Sequence, residues 1–462
     1  MRFTWFGILF IVILQLACKK ANDWLNVPRT KQDVVFSTLK DYQALLNNTS
    51  ILNAALPTIG LIGCDNLIVL DKNIQSLPVI ERNSYVWNKD IFEGRNSVEY
   101  STSYLAINYA NVVLDGIEKI GRSSSNYHEF NSIKGQAHFF RAIYYLELAS
   151  LFCKPFYDQT ASEDKGLCLR KSPDINEIVK RSSLAETYKL ILEDARLSAD
   201  LLTSANNVKT QPTKKAAYLL LARIYLNMSN FENAKKYTDS CLLLGNSLID
   251  FNIVPRESLP YRFPDFKGGN DEIIFYAQGN LYQTIYPSEN TAVSLVDTLL
   301  YRQYELTDLR RKVFYREFDS ITIKFKGSYT GVASNFCGLA TNEAYIIRAE
   351  CNARMGNLPD AIKDINDLLR KRYQRGTYVD FWSDNQDVVL RKVLLERRKE
   401  LPFTGLIRWQ DLRRLNLDPS LATSIFRYNK GVLIELKPND SKYVYPIPQN
   451  EINLAGIEQN IR

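Results

Sequence analysis

The sequence predicts a mostly α-helical protein, a tetratricopeptide-like helical-repeat scaffold with long irregular loops and a few short β-strands. Three observations carry that expectation. First, residues 212–244 (PTKKAAYLLLARIYLNMSNFENAKKYTDSCLLL) read as two helices joined by a tight turn. Thr213 is a candidate N-cap, and Ala217, Leu220, Leu221, Ile224 and Tyr225 recur at helical spacing. Met228-Ser229-Asn230 interrupts the run, and Phe231, Ala234, Tyr237 and Leu242 begin a second face. Second, the pattern recurs. ARIYLNMSNFENA (222–234) and AECNARMGNLPDA (349–361) share alanine at both ends, and Met228 and Asn230 correspond to Met355 and Asn357. One helical hairpin cannot bury its own apolar face, so two of equal spacing, at 212–244 and 341–372, imply stacked neighbours. Third, the stretches 47–97 and 246–335 carry scattered Pro, Gly, Asn and Asp and read as loops. Long irregular stretches within a domain are preferred sites of function.

The remaining elements follow in order. Residues 1–17 carry Arg2, an apolar run from Ile8 to Leu14, and Gln15-Leu16-Ala17 before Cys18. The run is too short to span a bilayer and has the layout of a secretory signal. A cysteine at the cleavage point makes Cys18 the expected lipid attachment site. Residues 18–32 then form a lipidated tether, and 33–462 a single domain. Helical patterns run over 34–46, 99–120, 133–152, 184–202, 388–401 and 409–415. Short strand-like runs occur at DEIIFYAQ (271–278) and SITIKFKG (320–327), and the C-terminus alternates short strands and turns. YPIP (445–448), with two prolines, should be extended.

Composition narrows the function. The chain has 462 residues, a formal charge of +7, 27 Tyr and 22 Phe. Basic residues are interleaved with acidic ones, so KRYQR (371–375) and the arginines near 412–414 read as solvated helix faces rather than a nucleic-acid footprint. Seven cysteines without a CxxC, and only His128 and His138, give no metal constellation. Cys153 and Cys168 could pair across a loop. Glu396 and Glu400 stand at i, i+4 in ERRKEL, with Arg397 between them and Asp411 and Arg413 nearby. Paired carboxylates are the machinery of glycoside hydrolysis. In so arginine-balanced a run, a charged network joining two helices is the better reading. With no GxSxG either, the sequence offers no catalytic residue and no cofactor site.

Several motifs, in order, resemble one family. Cys18 is followed by DWLNVP (23–28), and NYANV (108–112) precedes KGQAHFFRAIYYLELASLF (134–152). TKKAAYLLLA (213–222), the run Glu343–Ala361, LLERRKEL (394–401), RWQDLRR (408–414) and YPIPQNEI (445–452) with Gln459-Asn460 complete the set. Together they resemble the SusD/RagB family of nutrient-binding outer-membrane lipoproteins over nearly the whole chain. The resemblance implies a SusD-like fold and a lipid-anchored protein of the cell outer membrane. Such a protein captures glycan or peptide and sits on a SusC-like TonB-dependent outer-membrane transporter, without catalysis. It also points to the N-terminal loop region for a binding aromatic, here Trp87 with Tyr85, Asn88 and Arg95. The middle loop region adds Tyr282 and Tyr286. Rings would supply contact area and polar groups orientation. A helical-repeat scaffold that binds only proteins is the alternative.

Overall fold

The computed structural model describes residues 36–204, 208–254, 261–263, 269–288 and 293–462. The leader, Cys18 and the tether to residue 32 lie outside the described residues. Helices of seven residues or more are α1 (Leu39–Leu46), α2 (Val79–Tyr85), α3 (Val98–Ile120), α4 (Tyr127–Phe152), α5 (Leu184–Leu201), α6 (Lys214–Asn227), α7 (Phe231–Leu243), α8 (Thr341–Arg354), α9 (Leu358–Leu369), α10 (Gln386–Glu400), α11 (Ile407–Leu415) and α12 (Gln449–Ala455). From α4 to α9 each helix packs on the one before it, and α10 closes against α8 and α9. α1 lies across α3 and α4. Among the described residues, five two-stranded antiparallel ladders sit in the loops.

The repeat read from the sequence is visible in the turns. After α6, Ser229 adopts φ +57° and the Asn230 N–H donates to the Tyr225 carbonyl. After α8, Gly356 adopts φ +81° and the Asn357 N–H donates to the Asn352 carbonyl. Both ends close by the same left-handed cap, which satisfies carbonyls the helix leaves free. The Asn230 side chain then accepts from the Asn233 N–H to start α7, and Pro359 occupies the first turn of α9.

α4 is the axis of the molecule. From Ile133 onward it is buried on almost every side, which requires neighbours all round. α3 and α5 flank it, Phe275 meets Phe139 and Phe140 at 4.8 and 5.9 Å between ring centres, and α11 donates from Gln410 and Arg413 to Ser150. Gly135 permits the close approach of the end of α5: a Cβ there would stand 2.8 Å from Leu202.

Four expectations need correction. The stretch 47–97 is not loop throughout. It holds α2 and three single-turn helices, because Leu52, Ile59, Leu61, Ile62 and Ile74 are drawn fully into the core. Burial of those side chains overrides weak local propensity. α4 also starts six residues before Ile133, through a polar first turn that local periodicity does not reveal. The strand-like runs shrink to Ile273–Phe275 and Ile323–Phe325. The six described cysteines are free and buried, Cys153 and Cys168 included.

Candidate functional site

Glu396 and Glu400 are 0% and 2% exposed. The Arg310 guanidinium reaches Glu396 at 2.6 Å, Glu400 at 3.1 Å and Asp308 at 2.7 Å. Arg372 ties Glu400 to Glu272, each at 2.8 Å, and Lys399 bridges Asp308 and Glu396. Burial alone would raise the Glu396 carboxyl, but Arg310, Lys399 and Lys392 hold it at about 2. A substrate has no access to this cluster. It is a buried ionic lock between α10, the 308–310 turn and the end of α9, as the arginine balance of ERRKEL implies. Arg397, Asp411, Arg414 and Glu350 form a second such lock between α10, α11 and α8.

The structure corrects the expectation for Trp87 and Tyr85. Trp87 is 2% exposed. Its Nε1–H donates to the Gly63 carbonyl at 2.9 Å, and Tyr85 exchanges hydrogen bonds with Val69. The Arg427 guanidinium covers both rings, 3.9 Å from the Tyr85 centre and 4.5 Å from that of Trp87. It also donates to the carbonyls of Tyr85, Ile62 and Cys64. Trp87 has φ +53°. Its N–H donates to Ser84 and that of Asn88 to Asn83, so Trp87 fills the left-handed position that ends α2, a position usually given to glycine. The indole is a structural anchor, and its faces are not available to a sugar.

What the anchor does is fix the loop that follows. Asn88 and Arg95 are exposed, and Arg95 pairs with Glu93. Asn88 lines a polar cleft of about 280 Å³ with Gln75, Arg82, Asn83, Glu93 and Asn429. It also lines a neighbouring cleft of about 410 Å³, with Lys89, Phe92, Pro446 and Gln459. The far wall of the smaller cleft is the tip of a hairpin, Ile425–Asn429 paired with Val432–Leu436. Lys430 and Gly431 turn it with φ +52° and +75°, the two-residue geometry that matches strand twist. Both their N–H groups donate to the Asp71 carboxylate, at 2.6 and 2.8 Å. Strand alternation sends Arg427 inward to the Trp87 anchor and turns Phe426 and Tyr428 outward, 57% and 61% exposed. Two outward rings thus stand on the solvent face of the hairpin whose tip, Asn429 and Lys430, walls a cleft lined by amide and guanidinium groups, the types of group suited to pyranose faces and hydroxyls.

The middle loop lies elsewhere on the core. Tyr282 is half-buried with its hydroxyl close to Glu99, and Tyr286 is half-buried beside Phe325 and Phe403. Glu81 on α2 accepts from the N–H groups of Gln283 and Thr284. The two predicted regions are thus joined through a buried carboxylate, but neither tyrosine lines the clefts at Asn88. Sequence reasoning missed Phe426, Tyr428, Asn429 and Arg82. The signal was present in IFRYN-KG-VLIEL, whose period of two places alternate aromatics on one face.

Comparisons with known proteins agree with this architecture. A family model described as "Starch-binding associating with outer membrane" matches residues 24–226, and the model of the SusD family matches residues 341–461. The SusD-like protein P2 of Formosa agariphila is 23% identical over 433 residues, covering 80% of this chain and 81% of the relative. A putative sugar binding protein of Bacteroides vulgatus has a solved structure that superposes with TM-score 0.75 at 20% identity, over 93% of this chain and 99% of its own. A SusD superfamily protein of Bacteroides thetaiotaomicron gives 0.73 at 20% identity, over 92% and 100%. Matched towards both ends by these models and sharing one mostly helical fold with such structures, the chain belongs to the SusD family.

Proposed function

We propose that this chain is a non-catalytic glycan-binding lipoprotein of the outer membrane. It takes up oligosaccharide at the face formed by the 88–95 loop and the 425–436 hairpin and passes it to a SusC-like TonB-dependent transporter. The observation that carries the reading is the exposed pair Phe426 and Tyr428 on the hairpin whose tip walls the cleft of Asn88, Asn83, Arg82 and Asn429. Rings without a buried partner, next to polar groups on a rigid wall, bind sugar by area and orientation rather than by chemistry. Family membership and a neighbour described as sugar binding support it. The carboxylate pair Glu396 and Glu400 is locked inside the protein, and among the described residues no group of His, Cys, Asp and Glu is arranged to hold a metal. Anchoring is assigned to Cys18. No helix among the described residues is long and apolar enough to cross a membrane.

The test is electrophoresis of the mature chain through native gels cast with a panel of polysaccharides. Retardation by one of them, lost in Tyr428→Ala and reduced in Asn88→Ala, supports the assignment. Retardation unaffected by both variants places the site elsewhere. Sugar release on prolonged incubation would replace binding with hydrolysis.

A further inference from the structure

The described residues include eight arginines buried in the protein, and six of them, Arg141, Arg223, Arg310, Arg372, Arg397 and Arg414, meet a carboxylate. Arg427 does not, but rings and three carbonyls enclose it. Arg413 is the remaining one. It donates to the carbonyls of Ser150 and Cys153 at the end of α4, where the helix presents partial negative charge. Its Nε–H has no acceptor. Burial lowers this guanidinium to about 10, and the tyrosines and thiol around it do not restore it.

Arg413 lines a cavity of about 480 Å³ between the end of α4, the end of α11 and the C-terminal segment. Asn416 and Tyr443 line it too, each nearly fully buried. The Asn416 amide nitrogen and the Tyr443 hydroxyl lean on each other without a well-aligned hydrogen bond. The Asn416 carbonyl oxygen is already taken by the Thr423 N–H. What the wall offers is therefore chiefly donors. At the mouth Lys154 is paired with Asp164 and Lys165 with Glu458, Asp440 caps the turn at Ser441–Tyr443, and Glu163 points into solvent. Tyr157, half exposed, and Leu417 supply apolar surface.

We propose that this cavity is a second ligand site, separate from the cleft at Asn88, and that it takes a hexuronic acid. The sugar carboxylate lies toward Arg413, Asn416 and Tyr443, and the ring face lies along Tyr157 and Leu417. A carboxylate is the group that matches a buried guanidinium lacking an anion, since unpartnered donors in a desolvated wall favour an acceptor that brings charge. The volume holds one or two pyranose rings, and the apolar wall distinguishes a sugar acid from a bare anion. The site does not depend on the glycan reading of the hairpin face.

Isothermal titration of the full-length chain in detergent, at low salt, with galacturonate, glucuronate, glucose and acetate tests this. A uronate should bind at least about tenfold tighter than glucose and than acetate. Arg413→Lys, which keeps charge but loses the planar fork, should weaken it by at least about tenfold. Because Arg413 also holds the end of α4, Leu417→Trp serves as the second variant. It fills the cavity from a half-buried position and should remove uronate binding while the melting curve stays intact. Asn88→Ala should leave uronate binding unchanged. Equal binding of glucose would overturn the carboxylate assignment, and equal binding of acetate the sugar assignment. Uronate binding that survives Leu417→Trp, or that is lost in Asn88→Ala, would overturn the location.

Discussion

Trp87→Ala separates a ligand platform from a structural anchor. The indole is buried, its N–H satisfies the Gly63 carbonyl, and its face carries the Arg427 guanidinium. Truncating a buried Trp costs about 3–5 kcal/mol through lost transfer energy and the cavity left behind. An orphaned buried carbonyl adds about 1 kcal/mol, and a desolvated guanidinium loses a ring contact of about 1–2 kcal/mol. These contributions overlap, because deleting one side chain removes all three. We expect a net loss of about 4–5 kcal/mol. Nothing is regained from the backbone, since alanine at φ +53° is still disfavoured. That gives an internal control: Trp87→Gly should be no less stable than Trp87→Ala, the reverse of the usual order, because glycine accepts the left-handed cap. Trp87→Phe keeps most of the ring and should lose about 1–2 kcal/mol. Urea unfolding followed by circular dichroism reads all three, with glycan retardation measured in the cold where each variant is folded. A Trp87→Ala chain that unfolds with the wild type yet loses retardation would refute the anchor and restore Trp87 as a ligand contact.

Other perturbations probe the remaining parts. Tyr428→Ala should abolish glycan retardation with a stability change within about 0.5 kcal/mol, because its ring is exposed; a large loss of stability would mean the ring is packed. Arg310→Met should destabilise by about 3–5 kcal/mol, since it strands Asp308, Glu396 and Glu400 in the interior; an unchanged unfolding midpoint would mean these carboxylates are solvated. Burial pushes Glu147 up to about 7, against the pull of Arg223 and with Glu343 and Glu99 adding to it, from an ordinary value of 4.5. The folded state then holds a proton that the unfolded chain has released, so this group's contribution is full below pH 4.5 and declines as pH rises towards 7. Glu147→Gln should flatten that part of the stability profile. Glu350 and Glu396, held at about 2 against burial by their arginine partners, act in the opposite sense, contributing above their ordinary 4.5 and losing it as pH falls towards 2. Cys18→Ser should release the protein from the membrane fraction in a detergent-free wash; retention would argue against a lipid anchor.

Local periodicity and cap chemistry encode the repeat hairpins without help from the rest of the fold. Both repeat hairpins stand where the small and large apolar residues alternate, and Ser229 and Gly356 share one turn geometry because the same five-residue closure follows each helix. The arginine balance of ERRKEL was legible as a network for a similar reason. A helix brings i and i+4 together whatever lies beyond it. The partners that complete the network, Arg310 and Arg372, come from distant segments, and only tertiary structure supplies them. The candidate site shows the limit most directly. An aromatic in a loop reads the same whether its ring faces water or core, and Trp87 was decided by Arg427, 340 positions later in the chain, which occupies the ring face. Tyr428 is a candidate site residue for the complementary reason. Its neighbour Arg427 is pulled inward, and alternation along the strand leaves Tyr428 no choice but solvent. Local pattern fixes which residues share a face. Which face is buried depends on what packs against it, and that is a property of the folded chain.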